Sequence, residues 1–424
     1  HGYCHIWNWL LATNYGFDAY AWGLHKYDIS DPSQPVIAGW YISTGYATHI
    51  VIDRNTAFII EYATLENYTI WDSLDHEDDY FTKLKFINVA NPSRPSLIGH
   101  YLHGGIAIAI NGTRAVLTGG FGGAAILNIS NLQRPRYLGG IEEPTGYLAV
   151  DEACAYIILY PYEDQADENL YIYDLSNPAE PVLLSESDTG AEIYDIKKAG
   201  NFIYLANWVN GLTIYDVSDP EHPARLSVLD DFIVVKLDIQ GIYAYLLARR
   251  PGDDETRGLS IVDISNPEEP TEVSFLQTAE EPYYLDVEGD FAAITTFDRR
   301  SLRLLDVSDP ENPEEVGFIE GVNYFYDVAL AGTYAFVAGG NHFDIYDCSG
   351  AMGIPLPPEW IEIPDRIEGS EADTIEFDLL AMDPNGDDIE LSLRRNGLPE
   401  AAEFTDLGGG SGRFYWITNY EDAS

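Results

Sequence analysis

One short segment recurs eight times along this chain. It reads YDISDPSQP from Tyr27, INVANPSRP from Ile87, LNISNLQRP from Leu127 and YDLSNPAEP from Tyr173. It continues as YDVSDPEHP from Tyr215, VDISNPEEP from Val262 and LDVSDPENP from Leu305, then as a degenerate YDCSGAMGIP from Tyr346. With the Asp or Asn as marker, the copies sit at Asp28, Asn88, Asn128, Asp174, Asp216, Asp263, Asp306 and Asp347, at intervals of 60, 40, 46, 42, 47, 43 and 41 residues. A repeat of this period imposes a modular architecture in which each unit buries its apolar face against the next.

The unit is all-β. Each marker ends an alternating run, such as Leu212-Thr213-Ile214-Tyr215-Asp216-Val217 or Leu259-Ser260-Ile261-Val262-Asp263-Ile264, and period-two alternation predicts a half-buried strand. The Ser-Asp/Asn-Pro-x-x-Pro that follows is a turn, because Pro cannot donate to a ladder and Asp, Asn and Ser bond the local backbone. A short strand such as Pro181-Val182-Leu183-Leu184 comes next. Two more, such as Tyr194-Asp195-Ile196 and Phe202-Ile203-Tyr204-Leu205-Ala206, flank a turn at Gly200-Asn201. Four short strands per unit are the content of a propeller blade. No window sustains apolar residues at helical spacing, and prolines are too frequent for ordinary helices.

The strings LSIVDISNPEEP, LRLLDVSDPENP and LTIYDVSDPEHP resemble the repeat of the LVIVD-repeat β-propeller family of bacterial and archaeal surface or secreted proteins. The resemblance implies a propeller over residues 1–350, with a scaffold for surface display and interaction and no defined catalysis. Eight four-stranded blades are expected, because Gly2-Tyr3-Cys4-His5-Ile6 echoes Gly45-Tyr46-Ala47-Thr48-His49-Ile50 and so marks an opening blade. The alternative is seven, closed by an N-terminal strand. The insertions described below would all join second and third strands, and so share one end of the ring.

Residues 351–358, with Ile354-Pro355-Leu356-Pro357-Pro358, read as a stiff linker. Beyond it, residues 359–424 resemble a bacterial immunoglobulin- or cadherin-like module, through EGSEADTIEFDLLAMDPNGDDIELSL, GLPEAAEF and GRFYWITNYEDAS. A whole sandwich of that kind needs about 100 residues, so the expectation is a partial sandwich whose closing strands come from further chain or from a partner. The resemblance also implies calcium at Asp383, Asn385, Asp387 and Asp388, four oxygen-bearing side chains on a Gly-containing turn. A metal-free hairpin turn is the alternative, and the chain requires no other cofactor.

Composition narrows the partners. Lys and Arg number 22 against 70 Asp and Glu, a formal charge of −48. Such a surface repels a polyanion, so nucleic acid is excluded as a partner. Hydrophobic residues at 46% and aromatics at 13% suffice for a packed core. No apolar run approaches the roughly 20 residues needed to span a bilayer. The chain starts at His1 without Met or a signal-peptide pattern, which points to a processed or partial product.

The first interval is the longest. Its excess lies between Tyr62 and Lys83 and holds Asp72, Asp75, His76, Glu77, Asp78 and Asp79, with smaller insertions at Tyr160–Asn169 and Arg249–Arg257. Loops of this kind read either as a binding rim, centred on Asp72, Asp75, Glu77, Asp78 and Asp79, or as a solvated charged loop. Glycosylation sequons stand at Asn67, Asn111 and Asn128. If first and last blades are neighbours, a Cys4–Cys348 disulfide would pin the seam; two buried thiols are the alternative. His100 and His103 lack a third ligand and read as structural. The chain has no Gly-x-Ser-x-Gly elbow, Walker loop or dinucleotide fingerprint.

These observations lead to an extracellular or cell-surface interaction protein, binding protein or carbohydrate there, or copies of itself assembled head to tail through strand exchange into filaments. The rivals are a propeller hydrolase or lyase with its site at the channel mouth, and a calcium-dependent carbohydrate binder. Convergence of polar side chains from several blades into one pocket separates them.

Overall fold

The computed structural model describes residues 15–20, 23–28, 36–63, 82–102, 105–119, 123–143, 145–158, 169–190, 192–208, 210–252, 256–278, 280–296, 301–320, 325–353, 359–362, 373–382, 389, 391–392 and 402–417. Every regular element among them is a strand. Two compact units emerge, one of Val36–Cys348 and one of His1–Pro35 with Ser349–Ser424.

In the first unit each repeat folds as an antiparallel meander. The strands Ile193–Ala199, Phe202–Asn207, Gly211–Asp216 and Ala224–Leu229 form one four-stranded sheet in chain order, and the sheets beginning at Ala107, Leu148, Ile233 and Pro282 follow the same plan. A sixth sheet has six strands and joins the two ends of the unit. In it Val36–Asp53 changes partner along its length: Val36–Ile42 pairs with His342–Asp347, and Gly45–Asp53 pairs with Thr56–Ala63. The strand Tyr334–Asp347 folds back on itself. Cys348 N donates to Thr333 O at 2.7 Å, matching the 2.8 Å bond from Val307 N to Asp290 O and the 2.8 Å bond from Val217 N to Asn201 O in other repeats.

The alternating runs are not half-buried. Leu212, Thr213, Ile214 and Tyr215 are 0, 1, 0 and 3% exposed, and Ser260 is as buried as its apolar neighbours. Sheets stack on both faces of each second and third strand, so small polar residues as well as apolar ones lie between layers. Outer strands such as Ala224–Leu229 face solvent. Phe58 and Phe86, fully buried in adjacent strands, meet edge to face at 5.4 Å.

The recurring motif is a local turn and a clasp between sheets. Asp174, Asp216, Asp263 and Asp306 each accept the N–H of the Ser two residues on, at 2.7–2.9 Å. Those bonds hold the Asp174 and Asp263 carboxyls below the ordinary carboxylate range. The Pro carbonyl of the turn then receives a side chain from the preceding sheet: Ser185, Ser227 and Ser274 hydroxyls donate to Pro220, Pro267 and Pro310 at 2.7, 2.7 and 2.6 Å. The sheet that ends with Arg136–Ile141 has Gly139 there, where an added Cβ would lie 2.0 Å from the Pro178 carbonyl.

In the second unit, Tyr15–Tyr20 and Gly23–Asp28 pair with each other. The expected opening blade rests on these strands and on residues outside the described ones. The strands Glu359–Glu362, Thr374–Met382, Ser411–Ile417 and Glu403–Gly408, in that order, form an antiparallel sheet on which Phe377 stacks on Phe414 at 5.0 Å. Among the described residues no helix is long and apolar enough to cross a membrane.

Candidate functional site: a polar cavity among the first strands

Each first strand of the repeat unit lies beside the first strand of the next sheet, and Asp327–Ala331 lies beside Val36–Asp53. Together they line a cavity of about 550 Å3. Its lining follows a register. Counting back five and three residues from the positive-φ turn residues Arg54, Gly112, Gly200, Gly241, Gly289 and Gly332 gives His49 and Val51, Ala107 and Ala109, Asp195 and Lys197, Lys236 and Asp238, Tyr284 and Asp286, and Asp327 and Ala329. All of these line the cavity except Asp238, which stands behind Lys197. The intervening sheet contributes Tyr147 and Ala149. One arc of the wall is therefore small and apolar, and the rest is polar.

The carboxylates on this register hold neighbouring sheets together. Asp195 accepts Leu237 N at 3.3 Å, Asp238 accepts Val287 N at 2.9 Å, and Asp286 accepts Leu330 N at 2.7 Å. Asp327 accepts Ile50 N at 2.9 Å and meets His49 Nδ1 at 2.6 Å. The first three bonds run from one sheet to the next, and the last joins two strands of the six-stranded sheet across 277 residues.

Cations complete the polar arc. Lys197 Nζ lies 3.1 Å from Asp238, and Lys236 Nζ lies 3.7 Å from Asp195. Burial alone would depress Lys197, but Asp238, Asp195 and Asp286 hold its ammonium above the ordinary lysine range. Its side chain nonetheless keeps 37% of its exposure, so water reaches it. Lys236 Nζ also sits 5.2 and 5.0 Å from the ring centroids of Tyr147 and Tyr284. Burial, then the Asp238 charge, push Asp286 up to about 7, against the pull of Lys197 and the Leu330 N–H. Burial and nearby carboxylates raise Tyr284 as well.

A second cluster stands at the end of the sheets that carries the insertions. Tyr194 packs on Trp208 at 5.1 Å, and the Arg249 guanidinium lies 4.6 Å from the Trp208 ring. The chain connecting the second and third strands there includes residues 64–81, 159–168 and 250–256, so the three insertions occupy the strand order expected of them.

The sequence-derived candidates fall as follows. Asp72, Asp75, Glu77, Asp78 and Asp79, the turn residues Asp383, Asn385, Asp387 and Asp388, and also Asn67 and Cys4 lie outside the described residues. Cys348 is a free, fully buried thiol, pushed up to about 12 by burial. Asn111 ends a strand beside Gly112. Asn128 is occupied as a turn residue, accepting Ser130 N and Oγ at 2.9 and 2.6 Å. Among the described residues no group of three or more His, Cys, Asp or Glu is arranged to hold a metal. The cavity residues were not singled out from sequence, although polar residues at fixed distance before a Gly turn, as in KLDIQG and YLDVEGD, carry the signal.

Comparison with known proteins agrees with the fold. The LVIVD repeat pattern matches residues 20–43, 162–189, 192–230, 236–278, 284–320 and 324–350. No curated protein matches the sequence. Among solved structures, the β-propeller domain of Cps50 (Swd1) from Myceliophteria thermophila is similar with TM-score 0.53 at 11% identity, over 72% of this chain and 98% of its own. The WD40 β-propeller domain of Doa1 gives 0.52 at 9%, over 74% and 96%. The WD40 repeats of RRP9 give 0.50 at 12%, over 74% and 98%. At such identities the likeness concerns fold alone. The chain carries LVIVD repeats, and its repeat-bearing unit has the β-propeller fold.

Proposed function

We propose that Val36–Cys348 is a seven-bladed propeller, closed by Val36–Ile42 as the outer strand of the last blade, and that it works as a rigid extracellular interaction scaffold. The observation that carries the blade count is a shared irregularity. Within this unit the outer strand of every sheet has a register shift against its neighbour at the same place, as between Ile214 and Tyr215 or Ile261 and Val262, and Val36–Ile42 has it against Ile345 and Tyr346. The bond from Ile50 to Asp327 supports the same closure. The acidic composition suits an extracellular setting. The C-terminal sheet is read as half of an immunoglobulin-like sandwich.

The contact surface is the insertion-bearing end. Trp, Tyr and Arg are the residue types that dominate binding energy at interfaces, and Tyr194, Trp208 and Arg249 gather there beside the insertion at 250–256. Copies of this chain are the first partner. Sedimentation velocity over a wide concentration range tests this: wild-type protein associates, and Trp208→Ala with Arg249→Ala weakens association at least about tenfold. A monodisperse monomer at the highest concentration would contradict self-association.

A second reading has a specific observation behind it. Polar side chains from several blades converge in one cavity, which is the arrangement of a ligand-binding site.

A further inference from the structure

We propose that the central cavity binds a neutral, polyhydroxylated small molecule of the saccharide class, held by Tyr284, Asp286 and Lys236 against the small-residue wall at Ala109 and Ala149. The inference rests on the propeller reading. The cavity's 550 Å3 falls within the range of about 300–1,000 Å3 typical of small-molecule sites. Its wall is more polar than that of the usual small-molecule site, with an apolar arc facing several convergent polar groups, which suits a polar ligand.

Three of those groups have capacity to spare. One Asp286 oxygen accepts Leu330 N, and nothing among the described residues reaches the other. The Tyr284 hydroxyl makes no hydrogen bond among the described residues. The Lys236 ammonium reaches one carboxylate, at 3.7 Å, longer than a hydrogen bond. Polar groups in a sheltered site are costly when left unmatched, so a ligand that supplies partners is stabilised there.

Charge selects the class. The lining sets Asp195, Asp286 and Asp327 against Lys197, Lys198 and Lys236, so the charges balance and an anion finds no cationic excess to hold it. A cation meets Lys236, which already lies over the Tyr147 and Tyr284 rings. A neutral polyol satisfies both constraints, because each hydroxyl donates and accepts. An Asp286 carboxyl that holds its proton near neutral pH donates to such a hydroxyl without adding charge.

The test uses the full chain. D-glucose, D-mannose, D-galactose, N-acetylglucosamine and cellobiose are screened by saturation-transfer NMR and calorimetry, with glucuronate and spermidine as charged controls. The expected result is one neutral sugar bound one to one, with a dissociation constant of about 1 mM or below. Tyr284→Phe and Ala109→Leu are each expected to weaken it at least about tenfold while unfolding midpoints stay in place. No binding by any neutral sugar, equal affinity in both variants, or preference for either charged control would overturn the assignment. Tyr284→Phe removes only a hydroxyl, so the question stays decidable if Ala109→Leu fails to fold. The propeller reading fails separately, on the hydrogen exchange of Val36–Ile42, whatever the sugar titration gives.

Discussion

The Asp327 carboxylate accepts the backbone N–H of Ile50 at 2.9 Å, joining the two ends of the repeat unit across 277 residues. The same oxygen lies 2.6 Å from His49 Nδ1, and the other accepts Val328 N at 3.0 Å. A ring of sheets is held by packing between neighbours, so the joint between its ends is where the chain has no covalent help.

Removing that acceptor leaves an N–H and an imidazole unmatched at a sheltered site. Asp327→Ala is expected to lower the unfolding free energy by about 2–4 kcal/mol, and Asp327→Asn, which keeps an acceptor, by about 1 kcal/mol. Urea denaturation measures both. Equal small losses for the two variants would show that the joint does not depend on this carboxylate.

The Asp286 carboxyl is raised from 3.8 to about 7 in the folded protein. Between those values the native state holds a proton that the unfolded state has lost. The contribution of this group is therefore complete at pH below about 4, falls as pH rises to about 7, and is constant above. Asp286→Asn keeps the acceptor for Leu330 N and removes the titration. The stability of the variant relative to wild type is expected to climb between pH 4 and 7 and then level, as read from denaturation midpoints across that range. A difference that does not vary with pH would refute the assignment.

Clasps between blades come in a hydroxyl and a glycine form. Ser227→Ala removes one neutral hydrogen bond to Pro267 O, an expected loss of about 1 kcal/mol. Gly139→Ala forces a methyl to 2.0 Å from the Pro178 carbonyl oxygen, so the two sheets must separate, with an expected loss of about 1–3 kcal/mol. Thermal unfolding ranks the two, and a Gly139→Ala protein as stable as wild type would mean the sheets are not held this close.

What sequence revealed was whatever is local. The Asp174-to-Ser176 turn bonds and the four-strand unit are encoded within one repeat and were legible there. The pairing of Val36–Ile42 with His342–Asp347 was not legible, because the two segments are about 300 residues apart and nothing local names either as the other's partner. Alternation misled about Thr213 and Ser260, since a strand packed on both faces buries its polar residues as well. Charged loops drew attention because runs such as DSLDHEDD stand out, whereas Asp195, Lys236 and Asp286 are dispersed one or two per strand and meet only when the blades converge.

Hydrogen exchange on the intact chain tests the closure most directly. If Val36–Ile42 completes the last blade, its ladder amides should be protected to the same level as those of His342–Asp347, opening only with the whole unit. Exchange of the Val36–Ile42 amides at the rate of an unstructured peptide, with His342–Asp347 still protected, would contradict it.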